Sequence, residues 1–94
     1  SPAVYSASKA GVIGLMKFLS SYWGKSNIRV NSISPGGFES GQNKKFINNY
    51  SKRVPLGKMA DINDITGISV FLASDASNYF SGHNFVMDGG LSVW

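Results

Sequence analysis

The sequence contains no cysteine and only one histidine, His83. Without cysteine the chain can form no disulfide, no thiolate metal site and no cysteine nucleophile, and one imidazole cannot make a histidine-rich metal cluster. The five carboxylates are too scattered to replace such a cluster, so we expect no metal site. No apolar run approaches the ~20 residues that a membrane-spanning helix needs, and no signal-peptide pattern is visible. We therefore expect a soluble cytoplasmic protein with no membrane partner.

Basic residues outnumber acidic ones by nine to five, and the excess is concentrated in one stretch. Residues 41–60 contain no acid and five cations: Lys44, Lys45, Lys52, Arg53 and Lys58. Such a cluster can attract nucleic acid or a phosphorylated small molecule, although a solvated basic surface is the commoner outcome. A nucleic-acid-binding module is therefore one alternative, but the stretch lacks a recognition motif or a platform of interleaved aromatic residues.

Apolar spacings of three and four predict a first helix that ends at Gly24. Its apolar stripe consists of Val12, Leu15, Met16, Leu19, Tyr22 and Trp23. A second face carries small residues, among them Gly11 and Gly14, and glycine costs about 1 kcal/mol relative to alanine within a helix. Close approach of another backbone would explain these glycines. The two faces together predict subunit contacts.

The remaining chain alternates between predicted strands and helices. IRVNSIS predicts a strand that ends at Pro35, and the polar segment 38–55 predicts a short amphipathic helix that forms a lid. Asp61 is expected to be the N-cap of a helix that reaches about Ala73. The buried stripe of that helix is expected to be Ile62, Ile65, Ile68, Phe71 and Leu72.

The segment NFVM predicts a last strand, and Asp88 before two glycines predicts a turn in which its carboxylate bonds the backbone. Helix, strand, lid helix, helix and strand form the tail of an α/β alternation with a parallel sheet. Two strands make a poor sheet, and parallel strands need cover on both faces. We therefore expect the preceding strands to belong to a longer protein, of which this chain is a C-terminal part.

Tyr5 and Lys9 stand four residues apart near the start of the first helix. Residues at this spacing share one helix face, so the phenol and the ammonium lie close together. A neighbouring ammonium favours the phenolate and lowers the pKa of a tyrosine from about 10, which suits it to proton transfer near neutral pH. Such pairs also occur by chance on many helices, so the pair needs support from the rest of the sequence.

Three segments in the same order resemble the short-chain dehydrogenase/reductase family. YSASKAG is similar to its catalytic YxxxK helix, IRVNSISPGG to its strand with a Pro-Gly turn, and FLASDASNYFSGHNFVMDGG to its last helix, turn and strand. The resemblance implies an α/β fold, the C-terminal part of a doubly wound Rossmann-type parallel sheet. Residues 1–94 would then be a C-terminal fragment of a single dinucleotide-binding oxidoreductase domain, with the catalytic helix, the substrate lid and the last two strands.

The resemblance also implies a role for each matching residue. Tyr5 would be the general acid/base, and Lys9 would lower the pKa of Tyr5 and bond the nicotinamide ribose. The loop after the strand would line the nicotinamide pocket and hold the carboxamide, although serine stands at position 40, where the family more often has threonine. The residues expected to bind NAD or NADP are Tyr5, Lys9, Pro35, Gly36, Phe38 and Ser40.

The activity implied is an NAD(P)-dependent interconversion of an alcohol and a ketone. DGGLSVW and PLGKMADINDI are similar to members that modify sugar or flagellar-glycan precursors, and the basic stretch suits an anionic or nucleotide-linked substrate. The family's phosphate loop and its catalytic Asn and Ser would lie upstream, so the 94-residue piece alone is expected to be inactive. Similar members commonly form dimers or tetramers, so we expect a homo-oligomer, a tetramer, and no nucleic-acid partner. The other alternative is a noncatalytic fragment that mediates assembly.

Overall fold

The structure, a computed structural model, describes residues 2–93. In chain order the helices and strands are α1 (Pro2–Trp23), β1 (Ser32–Pro35), α2 (Lys44–Ser51), α3 (Asp64–Ala73) and β2 (Asn84–Met87). Short 3-10 turns occupy Gly24–Ser26, Asp75–Ser77 and Leu91–Val93. This order is the one that the sequence predicts, including a short helix inside the segment 38–55. Among the described residues, no helix is long and apolar enough to cross a membrane.

Strands β1 and β2 pair in parallel, with Ser32 opposite Asn84 and Pro35 opposite Met87. The pairing confirms the predicted parallel arrangement. Side chains reinforce the backbone ladder, because Asn84 Oδ1 accepts hydrogen bonds from the hydroxyls of Ser32, at 2.7 Å, and Ser34, at 2.9 Å. Both strands end at the same edge of the sheet, which places the residues after Pro35 beside those after Met87.

Strand β1 begins at Ser32 and not at Ile28, where the sequence predicts it to start. The preceding residues bond to a turn instead of a strand. Val30 donates its N–H to Ser81 Oγ at 3.1 Å, and its carbonyl accepts from Gly82 N–H at 2.8 Å. These bonds satisfy the backbone without extending the ladder.

Helix α1 begins at a proline, which is well suited to a first helical position, and Gly24 follows its last residue as predicted. Of its apolar stripe only Met16 is buried, with 5% of its surface exposed, and Leu19 is half-buried. A Cβ added at Gly11 or Gly14 would meet nothing within 4 Å, so both faces of α1 are largely uncovered by the described chain. One hydrogen bond of 2.6 Å, between the hydroxyls of Ser20 and Ser81, ties the helix to the turn before β2.

Helix α3 begins at Asp64, and the residue before it, Asn63, makes no side-chain cap. The prediction that Asp61 is the N-cap is therefore wrong in position, but Asp61 and Asp64 still stabilise this end. Asp61 Oδ1 accepts from Asn63 N–H at 3.2 Å, and Asp64 Oδ2 accepts from Asp61 N–H at 2.8 Å. The predicted burial of Ile62 is also wrong, because it precedes the helix and is 70% exposed. The other members of the stripe are half-buried.

The C-terminal end of α3 is held by Arg29, which sequence analysis did not single out. Its guanidinium donates to the carbonyls of Leu72, at 3.2 Å, Ser74, at 3.2 Å, and Ser77, at 2.9 Å. Carbonyls at a helix C-terminus lack intrahelical donors and carry partial negative charge, so a cation stabilises them. Ser77 is completely buried beneath this arrangement.

Candidate functional site

Tyr5 and Lys9 lie together on the first turns of α1, as their spacing predicts. The Lys9 Nζ atom is 5.6 Å from the centroid of the Tyr5 ring, within the range of a cation–π contact. Tyr5 is 64% exposed, so both polar groups are accessible on an open helix face. The helix therefore exposes a phenol and an ammonium side by side on one face.

The loop after β1 is fixed by backbone hydrogen bonds. Gly36 donates its N–H to Met87 O at 2.8 Å, which extends the contact between the two strand ends by one residue. Phe38 forms a parallel bridge with Ala60, and its carbonyl accepts from Gln42 Nε2 at 3.0 Å. These bonds give the predicted nicotinamide loop a defined shape.

Ser40 lies in the exposed part of this loop. Its N–H donates to Gln42 Oε1 at 2.8 Å, and among the described residues its hydroxyl makes no hydrogen bond. The hydroxyl is therefore free for a ligand. Its role toward a carboxamide stays a prediction, as do the roles of Pro35, Gly36 and Phe38.

Tyr50, on α2, is part of this site and was not identified from the sequence as more than an apolar position. Its hydroxyl accepts a hydrogen bond of 2.8 Å from Gly37 N–H, and its ring lies against the same glycine. A Cβ added at Gly37 would stand 2.6 Å from the Tyr50 Cζ atom, so only glycine permits this approach. The Gly-Gly pair after Pro35 was the one sequence signal for a close neighbour at this point.

The strand ends, α2 and the loop after it enclose a cavity of about 250 Å³, here named the strand-end cavity. It is lined by Gly36, Gly37, Tyr50, Val54, Leu56, Lys58, Met59, Ala60, Asp64, Met87, Asp88 and Gly89. Ligands of open α/β sheets bind beyond the carboxyl ends of the strands. The cavity has this position relative to both β1 and β2.

The carboxylate of Asp88 bonds the turn after β2, as predicted. Its Oδ1 accepts from Gly90 N–H at 2.9 Å and its Oδ2 from Ser92 N–H at 3.0 Å. Hydrogen bonds from the Ser92 side chain and from the Gly90 backbone hold the pKa of Asp88 below its ordinary value of 3.8. Asp88 is therefore an ionised turn former and not a proton donor.

The predicted site residues form two groups. Tyr5 and Lys9 contact each other on α1, and Gly36 and Phe38 lie in the loop at the strand ends. Within residues 2–93, no hydrogen bond or ring contact joins the first group to residues 35–40. Helix α1 reaches the turn before β2 through Ser20, far along the chain from Tyr5.

Comparison with known proteins identifies the family. The family model described as enoyl-(acyl carrier protein) reductase matches residues 1–92. D-arabinitol 2-dehydrogenase of Candida tropicalis is 39% identical over 97% of this chain, and 2-dehydro-3-deoxy-D-gluconate 5-dehydrogenase of Bacillus subtilis is 41% identical over 92%. A short-chain dehydrogenase of Leptospira borgpetersenii, solved with bound NAD⁺, is 43% identical over 96% of this chain, with a TM-score of 0.89.

The chain belongs to the short-chain dehydrogenase/reductase family, and its fold is part of that family's Rossmann-type α/β fold. It spans 35% of the length of the Candida protein, 36% of the Bacillus protein and 35% of the Leptospira chain. The resemblance inferred from the three sequence segments is thereby confirmed.

Proposed function

We propose that the complete protein is an NAD(P)-dependent oxidoreductase that interconverts an alcohol and a ketone. The observation that carries this proposal is the Tyr5–Lys9 pair, exposed one turn apart on a helix of this family. The names of the relatives support the reaction type, since they are dehydrogenases of a polyol and of a sugar acid.

We propose further that residues 1–94 form the C-terminal fragment of a single dinucleotide-binding domain. The chain matches about a third of its relatives' length, and most of the apolar stripe of α1 is exposed. Additional strands of the same sheet would cover that stripe and would bring the residues that bind the rest of the dinucleotide. The fragment alone is then inactive.

The residues present fit the nicotinamide end of such a cofactor. Tyr5 and Lys9 offer a hydroxyl and an ammonium on an accessible face, and the Ser40 hydroxyl has no partner among the described residues. A nicotinamide cofactor supplies the hydride acceptor or donor. Tyr5, Lys9, Pro35, Gly36, Phe38 and Ser40 would hold it.

In the proposed reaction Tyr5 moves the proton. In the direction of oxidation its phenolate takes the proton of the substrate hydroxyl, and in reduction its hydroxyl gives that proton to the carbonyl oxygen. Lys9 stabilises the phenolate by its positive charge and donates hydrogen bonds to the ribose. The pair thus performs acid/base catalysis without a histidine.

The cofactor is NAD or NADP, and similar solved proteins support either. The Leptospira structure holds NAD⁺, and a gluconate 5-dehydrogenase of Burkholderia cenocepacia, 31% identical, was solved with NADP and tartrate. We propose a small polyol, sugar or sugar acid as the substrate class. The five cations of residues 41–60, with no acid among them, favour an anionic or nucleotide-linked member of that class.

We propose that segment 38–55, with α2 at its centre, is the substrate lid. It follows a strand end, is mostly polar and forms one wall of the strand-end cavity through Tyr50 and Val54. Long loops of this kind close over substrates in many enzymes.

We also propose a cytoplasmic homotetramer. Further strands would cover only the apolar stripe of α1, whereas Phe18 lies outside that stripe and is 61% exposed, and burying such surface at about 25 cal/mol per Å² favours association. Trp94, a further candidate for a subunit contact, lies outside the described residues. Light scattering of the complete protein should give a tetramer that Phe18→Glu dissociates, whereas a stable monomer would contradict this part of the proposal.

The test of the proposed function is a turnover assay of the complete protein with NAD⁺ or NADP⁺ and a panel of polyols and sugar acids. We expect cofactor reduction with at least one of them. Complete inactivity across the panel, with the protein folded and both cofactors tried in both directions, would contradict the proposal. Salt-dependent binding to random-sequence DNA would then favour the nucleic-acid alternative.

A further inference from the structure

We infer that the side chain of Gln42 is an internal competitor of the nicotinamide carboxamide. It bonds the backbone of the loop after β1 where a cofactor's carboxamide would bond it, so it must leave this position when the cofactor enters. Gln42 is then a regulatory residue that links the nicotinamide loop to the start of the lid. This inference rests on the proposed function, because it concerns the cofactor site proposed there.

The first observation is that Gln42 bonds the loop with both ends of its carboxamide. Its Nε2 group donates to Phe38 O at 3.0 Å, and its Oε1 atom accepts from Ser40 N–H at 2.8 Å. A primary carboxamide has donors on its nitrogen and an acceptor on its oxygen, so only this orientation satisfies both contacts. The side chain is half-buried in this position.

The group that Gln42 offers to the loop is the group that nicotinamide carries on its ring. Phe38 and Ser40 are two of the residues proposed to hold that ring. A backbone carbonyl and a backbone N–H that accept one primary carboxamide suit another equally, because the two have the same donors and the same acceptor. The side chain and the cofactor are therefore alternative ligands of one backbone site.

The second observation shows which edge of Phe38 is open to a ligand. The bridge to Ala60 uses the backbone groups on either side: Glu39 N–H donates to Ala60 O, and Ala60 N–H donates to Gly37 O, both at 2.9 Å. In an extended chain the N–H and C=O groups of one residue point to the same side, so those of Phe38 point away from Ala60. Gln42 lies across this edge, because it bonds the carbonyl there.

The third observation concerns the neighbours of Gln42 in the chain. Gly41 has a φ of 90°, in the region that favours glycine, and the turn that it permits brings the Gln42 side chain back onto the loop. Asn43 is the N-cap of α2, and its Oδ1 accepts from Phe46 N–H at 2.8 Å. Release of Gln42 therefore frees the joint between the loop and α2 while the cap of the helix is kept.

The expected size of the competition follows from the populations of the two positions of Gln42. The apparent dissociation constant of the cofactor is the intrinsic one divided by the fraction of molecules in which the site is open. Two neutral hydrogen bonds, offset by the entropy lost when a glutamine side chain is fixed, favour the closed position by about three- to tenfold. Removal of the competitor should strengthen cofactor binding by about the same factor.

The direct test uses the complete, unsubstituted protein and two probes. The cofactor, NADH or NADPH, is compared with ADP-ribose or its 2′-phosphate, which lack the nicotinamide. The side-chain amide resonances of Gln42 are followed by nuclear magnetic resonance. We expect saturation with the cofactor to move them to the positions of a free amide and to accelerate their exchange with water, and the nicotinamide-free probe to leave them in place. Unchanged resonances under saturating cofactor, or the same shift with both probes, would overturn the inference.

A variant measures the competition as an affinity. Gln42→Met keeps the length of the side chain but removes both hydrogen bonds, so it should lower the dissociation constant of the cofactor by about three- to tenfold. The affinity for the nicotinamide-free probe should change less than twofold. The matched control, Asn49→Ala, removes an exposed carboxamide from α2 and should change neither affinity by more than twofold. An equal gain for both probes, or no gain for the cofactor, would contradict the competition.

Amide exchange of Glu39 and Ala60 shows whether Gln42→Met keeps the bridge beside the site. If the bridge is lost, the resonances of the unsubstituted protein decide the question alone. Cofactor binding with no effect at Gln42 would refute this inference and leave the proposed function intact. Displacement of Gln42 by the cofactor in a protein without turnover would support the inference and refute the proposed function.

Discussion

Helix α1 and the walls of the strand-end cavity differ in what holds them in place. Helix α1 carries the proposed acid/base pair, but only Met16 of its apolar stripe is buried, and within residues 2–93 its one side-chain hydrogen bond to the sheet region is made by Ser20. The cavity walls carry neither Tyr5 nor Lys9, yet side chains of the lid pack directly on glycines at both strand ends. The comparison indicates that the described residues pack the walls of the cavity against one another but leave most of α1 uncovered.

The packing of the lid makes this contrast concrete. Tyr50 lies on Gly37, Val54 on Gly89 and Pro55 on Gly90, with distances of 2.6 to 3.0 Å from a Cβ built at each glycine. Leu56 N–H also donates to Gly89 O at 3.1 Å. In contrast, Gly11 and Gly14 of α1 meet nothing. Within the described residues, the glycines at the strand ends therefore allow close packing of the lid, whereas those of α1 face open space.

The largest effect is expected from Tyr5→Phe in the complete protein. Only the proton-transferring hydroxyl is removed, so turnover should fall by about 10² to 10⁴ while cofactor affinity is largely kept. Lys9→Ala should lower both the turnover and the cofactor affinity. Steady-state kinetics with a parallel cofactor titration measures this, and Tyr79→Phe, which removes a hydroxyl from a fully exposed ring, is the control. Near-normal turnover of Tyr5→Phe would refute the catalytic assignment.

Arg29→Met should give the next largest effect and should act on stability alone. The carbonyls of Leu72 and Ser74, at the end of α3, and of Ser77, in the turn after it, would lose a charged donor, which costs about 3 kcal/mol in the free energy of unfolding. Urea unfolding measures the loss, and faster amide exchange of Ser77 and Asn78 would locate it. Arg29→Lys keeps the charge but not the forked geometry, so its free energy of unfolding should lie between those of the unsubstituted protein and Arg29→Met. If Arg29→Met leaves the free energy of unfolding unchanged, these bonds add nothing to stability.

Gly37→Ala tests the close packing of the lid against an open position on α1. The added methyl would collide with the Tyr50 ring and should destabilise the protein by about 2 kcal/mol. Gly14→Ala should instead stabilise the 94-residue chain by up to about 1 kcal/mol, because nothing opposes the methyl.

The two glycine variants are compared by urea unfolding, with Gly37→Ala/Tyr50→Ala as a further control that relieves the collision. If Gly37→Ala alone is neutral, the lid is not packed as described. If Gly14→Ala destabilises the complete protein but not the 94-residue chain, another backbone covers that face of α1. That second result would sharpen the comparison of the two regions.

The smallest effect is expected from acid on the turn after β2. The folded-state pKa of Asp88 is lowered, so its carboxylate stabilises the fold fully above its ordinary pKa of 3.8, and this contribution is lost as the pH falls through the lower folded-state value. Amide exchange of Gly90 and Ser92, corrected for the intrinsic pH dependence, should accelerate in that range. Asp88→Asn should abolish the extra pH dependence. Unchanged protection of both amides at the lowest pH would contradict the role of the carboxylate.

Local sequence patterns predicted the elements whose determinants are local. Gly24 ends α1, NFVM is β2, and the turn of Asp88 forms as expected, because each depends on residues within a few positions. Three motifs in order also identified the family. The predicted start of β1 was wrong because Val30 donates its N–H to Ser81 Oγ, in a turn that lies 51 residues further along the chain.

The sequence predicted the contact between Tyr5 and Lys9, which depends on helix spacing alone, and missed the contacts that the tertiary structure creates. Tyr5 and Lys9 meet because helix periodicity brings them together. Tyr50 belongs to the cavity only because Gly37, 13 residues away, lets its ring approach the backbone. Spacing along the chain contains no signal for such a contact. It also does not show that Lys58, alone among the five cations of residues 41–60, lines the cavity.

The central claim is that α1 and the loop after β1 form one nicotinamide site in the complete domain, although within residues 2–93 no hydrogen bond or ring contact joins Tyr5 or Lys9 to residues 35–40. The most direct measurement is a nuclear Overhauser experiment on the complete protein with bound NADH or NADPH. We expect cross-peaks from the nicotinamide ring protons to both the Tyr5 ring and the Gly36 Hα atoms. Cross-peaks to neither residue in a protein saturated with cofactor, or to Gly36 without Tyr5, would contradict the account.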